Sequence, residues 1–422
     1  MPLRVWALAL FGLWGFFARA QVVYLPLDDR PPNWAPCAWG LAVCPPEEVY
    51  QGPLGADLPR LRPWLLSTPG KKLVASLDAL AYGGLLQSRH QSLSPEDALA
   101  RLTPLLAWRV RYGGDLFLFG VLPRWDASQR VRNLRVLRAL ARWAGLSGVY
   151  LEAVWDDALK DSPAPKEASS LPYPTRPGAD EAGQVLLLRA LRPGLRVQVV
   201  YEDPGLPDRR TPYEALSLKE TMDRVLKSAS ALEPLERPDL VLYVYGGLDP
   251  RRAALDLMAL MREHRVALAD LSRVNRGDAR LMERLLGLGL CARLAAYAGW
   301  GTPANNLGSA LAQAGLFRGE AGLTRLAEAY LHYWWGEVGR PWVRARFLEP
   351  LPEEASMVRK EFERVELDGR RLLLEGVRFP WKRSFEAGFS YRLGFSPPGW
   401  GRFDPLNPAR FTFLSLHGDA LR

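Results

Sequence analysis

Eight short apolar runs recur between residues 21 and 298, and each is followed by a helical pattern or by a long loop. Apolar runs bounded by turn residues predict β-strands, and strands that alternate with helices predict parallel sheets. Repeated eight times, this alternation predicts a (β/α)8 TIM-like barrel, which is an α/β fold. A doubly wound open sheet is the alternative, but it needs two edge strands, and none of the runs is conspicuously polar. The predicted strands cover residues 21–27, 72–77, 115–122, 149–155, 196–201, 239–245, 265–269 and 293–298.

The chain of 422 residues is long enough for a barrel and a smaller second domain. We predict the barrel over residues 21–318 and a C-terminal α+β cap over residues 319–422, where short strands and Pro/Gly turns replace the alternation. Within the barrel, a Ser–Pro pair predicts the start of a helix over residues 94–111. Residues 34–63 predict an ordered loop insertion and residues 163–177 a proline-rich loop.

The N-terminus has the three parts of a secretory signal peptide at residues 1–20. Arg4 supplies a positive start, residues 5–18 an apolar run, and residues 18–20 an A-x-A cleavage site. We therefore predict export to the periplasm or the extracellular space, with an uncleaved anchor as the alternative. No later segment reaches membrane-spanning length without charges, so no stable membrane span is expected after cleavage.

Cysteine, histidine and charge usage limit the possible partners. An oxidising compartment permits a disulfide between Cys37 and Cys44, and two buried free thiols are the alternative. The four histidines show no metal-ligand spacing, which disfavours a zinc site, and no cofactor is predicted. The formal net charge of +9 comes from Arg residues scattered among acidic ones. Without a basic run the sequence argues against a nucleic-acid partner, and it leaves the oligomeric state open.

Polar side chains follow most of the predicted strands, where barrels build their sites. Asp156 and Asp157 directly follow residues 149–155, and two adjacent carboxylates indicate acid–base chemistry because close like charges push their pKa values apart. A helix N-cap followed by a solvated Asp is the alternative. Arg124 and the Glu202–Asp203 pair also end predicted strands. The residues predicted to bind substrate are Asp28, Asp29, Arg30, Asp78, Tyr82, Gly83, Asp180, Glu181, Asp270, Asn275, Asp278, Trp300, Asn305 and Asn306.

These residue types suit a polyhydroxylated neutral ligand, since carboxylates and amides bind hydroxyl groups and the rings of Tyr82 and Trp300 offer a platform. Glycoside hydrolysis needs two carboxyl groups and little else. We therefore predict an exported glycoside hydrolase-like enzyme that acts on an envelope or extracellular glycan. The alternatives are a non-catalytic glycan-binding barrel and a metal-dependent hydrolase that uses the same oxygens for Ca²⁺ or Mg²⁺.

The order of these motifs resembles the large bacterial family of uncharacterised proteins called DUF4127. The resemblance rests on residues 24–31 (YLPLDDRP), 76–85 (SLDALAYGGL), 155–158 (WDDA), 178–181 (GADE), 269–270 (AD), 297–300 (YAGW), 305–308 (NNLG) and 379–381 (FPW). It spans most of the chain and implies no activity. The Asp156–Asp157 pair is also similar to the catalytic pair of barrel β-N-acetylglucosaminidases that use substrate assistance. That local resemblance implies an N-acetylhexosaminide substrate, with Asp156 orienting the 2-acetamido group and Asp157 protonating the leaving oxygen.

Overall fold

The computed structural model describes residues 22–124, 127–157, 162–299, 301–317, 335, 340–341, 344, 365–367, 370–381 and 387–395. The predicted signal peptide and most of the predicted cap lie outside the described residues. The chain divides into two compact units. Unit 1 comprises residues 1–155 and 166–175, and unit 2 comprises residues 156–165 and 176–422. The predicted domain boundary at residue 318 stays a prediction.

Unit 1 contains four strands of a five-stranded sheet whose order follows the chain, β1-β2-β3-β4-β5, and the fifth strand begins at the last residue of the unit, Thr175. The first four strands are parallel neighbours in continuous register: Val22 lies opposite Lys72, Lys72 opposite Asp115, and Leu116 opposite Val149. The strands are β1 (Val22–Leu25), β2 (Lys72–Ser76), β3 (Asp115–Leu122), β4 (Val149–Trp155) and β5 (Thr175–Pro177). The prediction of a proline-rich loop at residues 163–177 is wrong at both ends, because Ala164–Ala168 is a helix and Thr175–Pro177 is a three-residue strand.

The helices of unit 1 correct two expectations. The predicted loop insertion at residues 34–63 contains helical residues at both ends. One helix begins with Pro31 and Pro32, before the insertion, and Pro59 lies in the first turn of the other, where no N–H donor is needed. Pro36 and Pro63 lie further inside these two helices. The single helix predicted over residues 94–111 is two helices, and the second begins with Thr103 followed by Pro104. The helices are α1 (Pro31–Ala38), α2 (Leu58–Ser67), α3 (Leu77–Ala81), α4 (Leu85–His90), α5 (Pro95–Ala100), α6 (Thr103–Tyr112), α7 (Ala127–Ala139), α8 (Ala141–Ala144) and α9 (Ala164–Ala168), which runs from unit 2 into unit 1.

Unit 2 contains a second parallel sheet, in the order β6-β7-β8-β9. Its strands are β6 (Val197–Tyr201), β7 (Leu240–Tyr245), β8 (Val266–Asp270) and β9 (Leu294–Ala298). Every residue of β7 is buried. Its alternate side chains enter two different apolar clusters, so both faces of the strand are covered, as parallel sheets require. The prediction of an α/β fold with parallel sheets is therefore confirmed.

The helices of unit 2 cover the two faces of this sheet. One cluster contains side chains of the helices Pro250–Glu263 and Ala279–Gly287, such as Leu257 and Leu285. The other contains side chains of the helices Leu218–Ala229 and Pro303–Leu316, such as Val225 and Leu311. Ser217 and Glu220 form a reciprocal capping box at the start of the helix Leu218–Ala229. The helices are α10 (Ala182–Leu191), α11 (Leu218–Ala229), α12 (Pro250–Glu263), α13 (Ala279–Gly287) and α14 (Pro303–Leu316).

A small antiparallel sheet follows, made of β10 (Val365–Leu367), β11 (Arg370–Arg378) and β12 (Gly388–Phe395). Val377 of this sheet belongs to the same buried cluster as Tyr243 of β7. The late strands therefore contribute to the core of unit 2.

Cys37 and Cys44 form a disulfide, with their Cα atoms 5.7 Å apart. The sequence had left this pairing open. Cys291 is a free, buried thiol. In the part of the chain that the structure describes, no helix is long and apolar enough to cross a membrane.

Candidate functional site

Polar side chains that follow the first strand of unit 1 are hydrogen-bonded and ion-paired. Asp28, Asp29 and Arg30 follow β1, and all three are buried. Nη2 of Arg30 lies 2.8 Å from Oδ2 of Asp28, and Nδ2 of Asn33 donates to Oδ1 of Asp28 at 2.9 Å. Oδ2 of Asp29 accepts a hydrogen bond from the backbone N–H of Gly52 at 3.1 Å. Asp28 and Arg30 therefore compensate each other's charge inside the unit.

Asp78 lies in the first turn of α3, directly after β2, and is buried. Its Oδ2 accepts a hydrogen bond from the backbone N–H of Val121 in β3 at 2.7 Å. Burial raises the pKa of Asp78 to about 7, and the hydrogen bond from Val121 and the charge of Arg132 oppose part of that rise. The guanidinium carbon of Arg132 lies 4.2 Å from the centre of the Tyr82 ring, a cation–π distance. Asp78 and Tyr82 thus share one buried electrostatic environment.

Two glycines join these groups at one edge of the sheet. Gly83 and Gly84 have φ values of 106° and 142°, which L-residues rarely adopt. A Cβ atom on Gly84 would lie 3.0 Å from the carbonyl oxygen of Leu27 and 3.6 Å from Cβ of Asp28. The N–H of Gly84 also donates to the carbonyl oxygen of Asp78 at 3.1 Å. The predicted residues of unit 1 are therefore neighbours at the ends of β1 and β2.

In unit 2, Asp270 is the last residue of β8, and both oxygens of its buried carboxylate are engaged. Oδ1 accepts hydrogen bonds from the N–H and the hydroxyl of Ser272 at 3.1 and 2.6 Å. Oδ2 accepts from the N–H of Asp278 at 2.7 Å and from the hydroxyl of Tyr297 at 3.0 Å. Burial raises the pKa of Asp270, and the hydrogen bonds oppose that rise. Asp278 is fixed in turn, because Tyr245 donates to its Oδ2 at 2.9 Å.

The predicted amides join the same network. Nδ2 of Asn306 donates to the carbonyl oxygen of Asp270 at 3.0 Å, and its Oδ1 accepts from the N–H of Gly301 at 2.7 Å. Asn275 has a left-handed backbone with φ 57°, and its N–H donates to the carbonyl oxygen of Gly301 at 3.0 Å. Asn tolerates this conformation better than most residues. Trp300, the predicted aromatic platform, lies outside the described residues.

Glu202 directly follows β6, and its carboxylate binds the backbone of the loop that follows β7. Its carboxylate accepts hydrogen bonds from the N–H groups of Gly246 at 2.8 Å, Leu248 at 3.2 Å and Asp249 at 2.7 Å. The carboxylate of Glu202 therefore fixes the loop that follows β7. Among the described residues, no group of three or more His, Cys, Asp and Glu side chains is placed to hold a metal ion.

A second acidic group of unit 2 lies at the starts of α10 and α14. Glu181 is fully buried, and its Oε1 accepts a hydrogen bond from Nη1 of Arg176 at 2.5 Å. Burial raises the pKa of Glu181 to about 7 against the charge of Arg176. Its Oε2 is buried and has no hydrogen-bond partner among the described residues. The N–H of Asp180 donates to Oδ1 of Asn305 at 3.3 Å, which ties α14 to this group.

Glu214 belongs to the same group. It was not predicted, because the prediction selected polar residues that directly follow strands (the strand-end rule). It is buried in the loop between β6 and α11, and its Oε1 accepts a hydrogen bond from the N–H of Ala304 at 2.9 Å. Burial raises the pKa of Glu214 to about 8; the hydrogen bond from Ala304 lowers it, and the charges of Asp157 and Glu181 raise it. No spacing rule marks this residue, because Ala304 lies 90 residues further along the chain.

The predicted catalytic pair belongs to unit 2 and differs in exposure. Asp156 is buried, whereas Asp157 is partly exposed. Asp157 lies close enough to Glu214 for its charge to act on that carboxyl group. The predicted substrate residues fall into one set in unit 1 and another in unit 2, and their convergence on a single cleft stays a prediction.

Three comparisons bear on identity. A search of curated proteins and a search of solved structures each found no match. A comparison with protein families matches residues 22–148 and 150–390 to the family described as "Protein of unknown function (DUF4127)". This match covers most of the chain and confirms the resemblance found in the motifs. The chain is therefore a member of the DUF4127 family.

Proposed function

We propose that this protein is an exported glycoside hydrolase-like enzyme that acts on an envelope or extracellular glycan. The substrate class to test first is an N-acetylhexosaminide. Asp156 and Asp157 are the proposed catalytic pair: Asp156 orients the 2-acetamido group, and Asp157 supplies carboxylate charge beside the bond to the leaving oxygen.

One observation carries the proposal: burial raises the pKa of Glu214 to about 8, and the charges of Asp157 and Glu181 add to that rise. The cluster therefore combines carboxylate charge with a carboxyl group that holds its proton near neutral pH. Glycoside hydrolysis requires that combination, because one group must protonate the leaving oxygen while another stays ionised. A group that only binds sugars needs no such division.

Export is part of the proposal and is supported by two features. Residues 1–20 have the composition of a signal peptide. The Cys37–Cys44 disulfide is typical of proteins that reside in oxidising compartments. Fractionation of the native host, with the mature N-terminus determined by sequencing, tests the localisation. Full-length protein in the cytosolic fraction would contradict it.

The eight-stranded barrel is the finer part of the fold prediction. The sequential strand orders of the two sheets favour it, because a doubly wound sheet reverses its order at a switch point. Helices on both faces of β7 favour the doubly wound alternative. A crystal structure decides between them by showing whether the strands close into a ring.

The function is tested with a panel of chromogenic glycosides and with chitin and peptidoglycan fragments. We expect turnover of a substrate that carries a 2-acetamido group, and a loss in Asp156→Asn on good and poor leaving groups alike, because participation by the acetamide precedes either departure. Glu263→Gln is the matched control, since its side chain is exposed and lies in the same unit. Full activity on a sugar without the acetamido group would contradict the substrate class.

Calorimetry on the same preparation separates the two alternatives. Binding of glycan fragments without turnover, unchanged in Asp157→Asn, would favour a non-catalytic glycan-binding protein. Activity that is lost in a chelator and restored by Ca²⁺ or Mg²⁺ would favour a metal-dependent hydrolase.

A further inference from the structure

The carboxyl group of Glu214 has fewer hydrogen-bond donors and ion-pair partners than the other buried acids of unit 2. The oxygens of Asp270 and Glu202 are all engaged by hydrogen-bond donors. Oε2 of Glu214 is buried and has no hydrogen-bond partner among the described residues. None of the ion pairs found among those residues includes Glu214, whereas Glu181 is paired with Arg176.

The backbone before Glu214 holds the side chain inward. Tyr213 has φ 70°, in the left-handed region that bulky residues rarely occupy. The N–H of Glu214 donates to the carbonyl oxygen of Thr211 at 3.2 Å, which closes the turn. Tyr213 is 38% exposed and Glu214 only 6%. The carboxyl group of Glu214 is thus buried while the neighbouring Tyr213 is exposed, which is the opposite of the usual preference for these residue types.

The surroundings of Glu214 favour its protonated form. The start of α14 offers one N–H, that of Ala304, and this donor favours the carboxylate. Burial opposes the carboxylate, and so do the negative charges of Asp157 and Glu181. Oε1 accepts the hydrogen bond from Ala304, so Oε2, the oxygen without a partner among the described residues, is the one that carries the proton in the protonated form.

We propose that Glu214, in place of Asp157, is the catalytic acid of this site and that Asp157 is its ionised partner. The assignment rests on the proposed glycoside hydrolysis and identifies which carboxyl group carries the proton. The acetamide oxygen of the substrate bonds to the anomeric carbon as the bond to the leaving oxygen breaks. Glu214 donates the proton on its Oε2 to the leaving oxygen and becomes a carboxylate. Water then adds to the anomeric carbon, the acetamide is released, and the proton of the water returns to Glu214.

The test compares Glu214→Gln with Asp157→Asn on two substrates that share the sugar, one with an activated aryl leaving group and one with a second sugar. Gln keeps an oxygen that can accept from Ala304, so the fold should survive. We expect Glu214→Gln to lose about 10²–10⁴-fold on the sugar leaving group and far less on the aryl one, because the activated group departs without a proton. A selective loss in Asp157→Asn, with Glu214→Gln unaffected, would overturn the assignment. Absence of any turnover by the wild type would instead contradict the proposed function.

A second measurement does not depend on turnover. Infrared difference spectroscopy should show a protonated carboxyl band in the wild type that titrates near pH 8 and is missing in Glu214→Gln. The groups that act on it are Asp157, Glu181 and the N–H of Ala304, so Asp157→Asn should shift the titration to lower pH. Glu263→Gln should leave the band unchanged. A Glu214 carboxyl that is already ionised at pH 6 would overturn the inference, whether or not a glycoside is hydrolysed.

Discussion

The hydroxyl of Tyr297 donates a 3.0 Å hydrogen bond to Oδ2 of Asp270, so the last residue of β8 is held by the neighbouring strand β9. Replacing Tyr297 with Phe removes a donor to a fully buried carboxylate. We expect Tyr297→Phe to lower the free energy of unfolding by about 1–3 kcal/mol, measured by urea denaturation. Tyr243→Phe is the control, because its hydroxyl bonds the partly exposed Asp256. Equal losses in the free energy of unfolding would show that the buried Tyr297–Asp270 hydrogen bond contributes no more than the partly exposed Tyr243–Asp256 bond.

The raised pKa of Asp78 predicts a pH-dependent stability. Its folded pKa of about 7 lies above the ordinary value of 3.8, so the native state binds the proton more tightly than the unfolded chain. This contribution to the free energy of unfolding is present in full below pH 4 and is lost as the pH rises through 7. We therefore expect Asp78→Asn to be less destabilising, relative to the wild type, at pH 8 than at pH 5.

Chemical denaturation at several pH values between 5 and 8 measures this difference. Asp239→Asn is the matched control, because hydrogen bonds from Arg196 lower the pKa of Asp239 to about 2 and it does not titrate in that range. Parallel stability profiles for the wild type and Asp78→Asn would show that the pKa of Asp78 is not raised.

The Cys37–Cys44 disulfide closes a short loop that follows β1. Its two residues are 7 positions apart. In the chain-entropy account, a loop of this length is worth about 2–3 kcal/mol, because the bond restricts the unfolded chain. We expect the Cys37→Ser/Cys44→Ser variant to lose that amount in urea denaturation. A reductant should weaken the wild type equally and leave the variant unchanged; a reductant effect on the variant would point to another cause.

Gly308 of α14 lies against the side chain of Glu181. A Cβ atom at Gly308 would stand 3.0 Å from Cδ and 2.9 Å from Oε1 of Glu181, the oxygen that binds Arg176. Gly308→Ala should therefore destabilise unit 2 by about 1–3 kcal/mol, despite the better helix propensity of Ala. Gly145→Ala is the control, because that site is open and has φ −85°. A stable Gly308→Ala variant would mean that Glu181 can move without cost.

The eight predicted strands lie within two residues of strands in the structure, because buried parallel strands are short apolar runs with clear turn residues at their ends. Strand β5 was missed because Thr175–Pro177 is too short and too polar to give such a run. The prolines of residues 34–63 predict a loop, yet Pro59 lies in the first turn of α2, where a proline removes no hydrogen bond, and Pro36 and Pro63 are accommodated inside α1 and α2.

Most of the predicted site residues follow predicted strands, whereas Asp180 and Glu181 belong to a motif of the family resemblance. The strand-end rule found Asp270 and Asp78, because the chain fixes their place directly. Glu214 has no such marker: its burial and its contact with Ala304 depend on two segments that meet only in the folded protein. Asp157 was identified for its neighbour Asp156, whereas the structure connects it electrostatically with Glu214.

The two units are interleaved along the chain, and this constrains the order in which they can fold. The chain leaves unit 1 after residue 155, returns at residue 166 and leaves again after residue 175. The N–H of Ala153 in β4 donates to the carbonyl oxygen of Pro174 at 3.0 Å, so the sheet of unit 1 is completed by a segment that arrives late. Residues 156–165, with both Asp156 and Asp157, can join unit 2 only after residues 176 onward have been synthesised. A nascent chain that stops at residue 155 would leave β4 without the segment that pairs with it, as an exposed sheet edge. No single cut of the chain can release either unit whole.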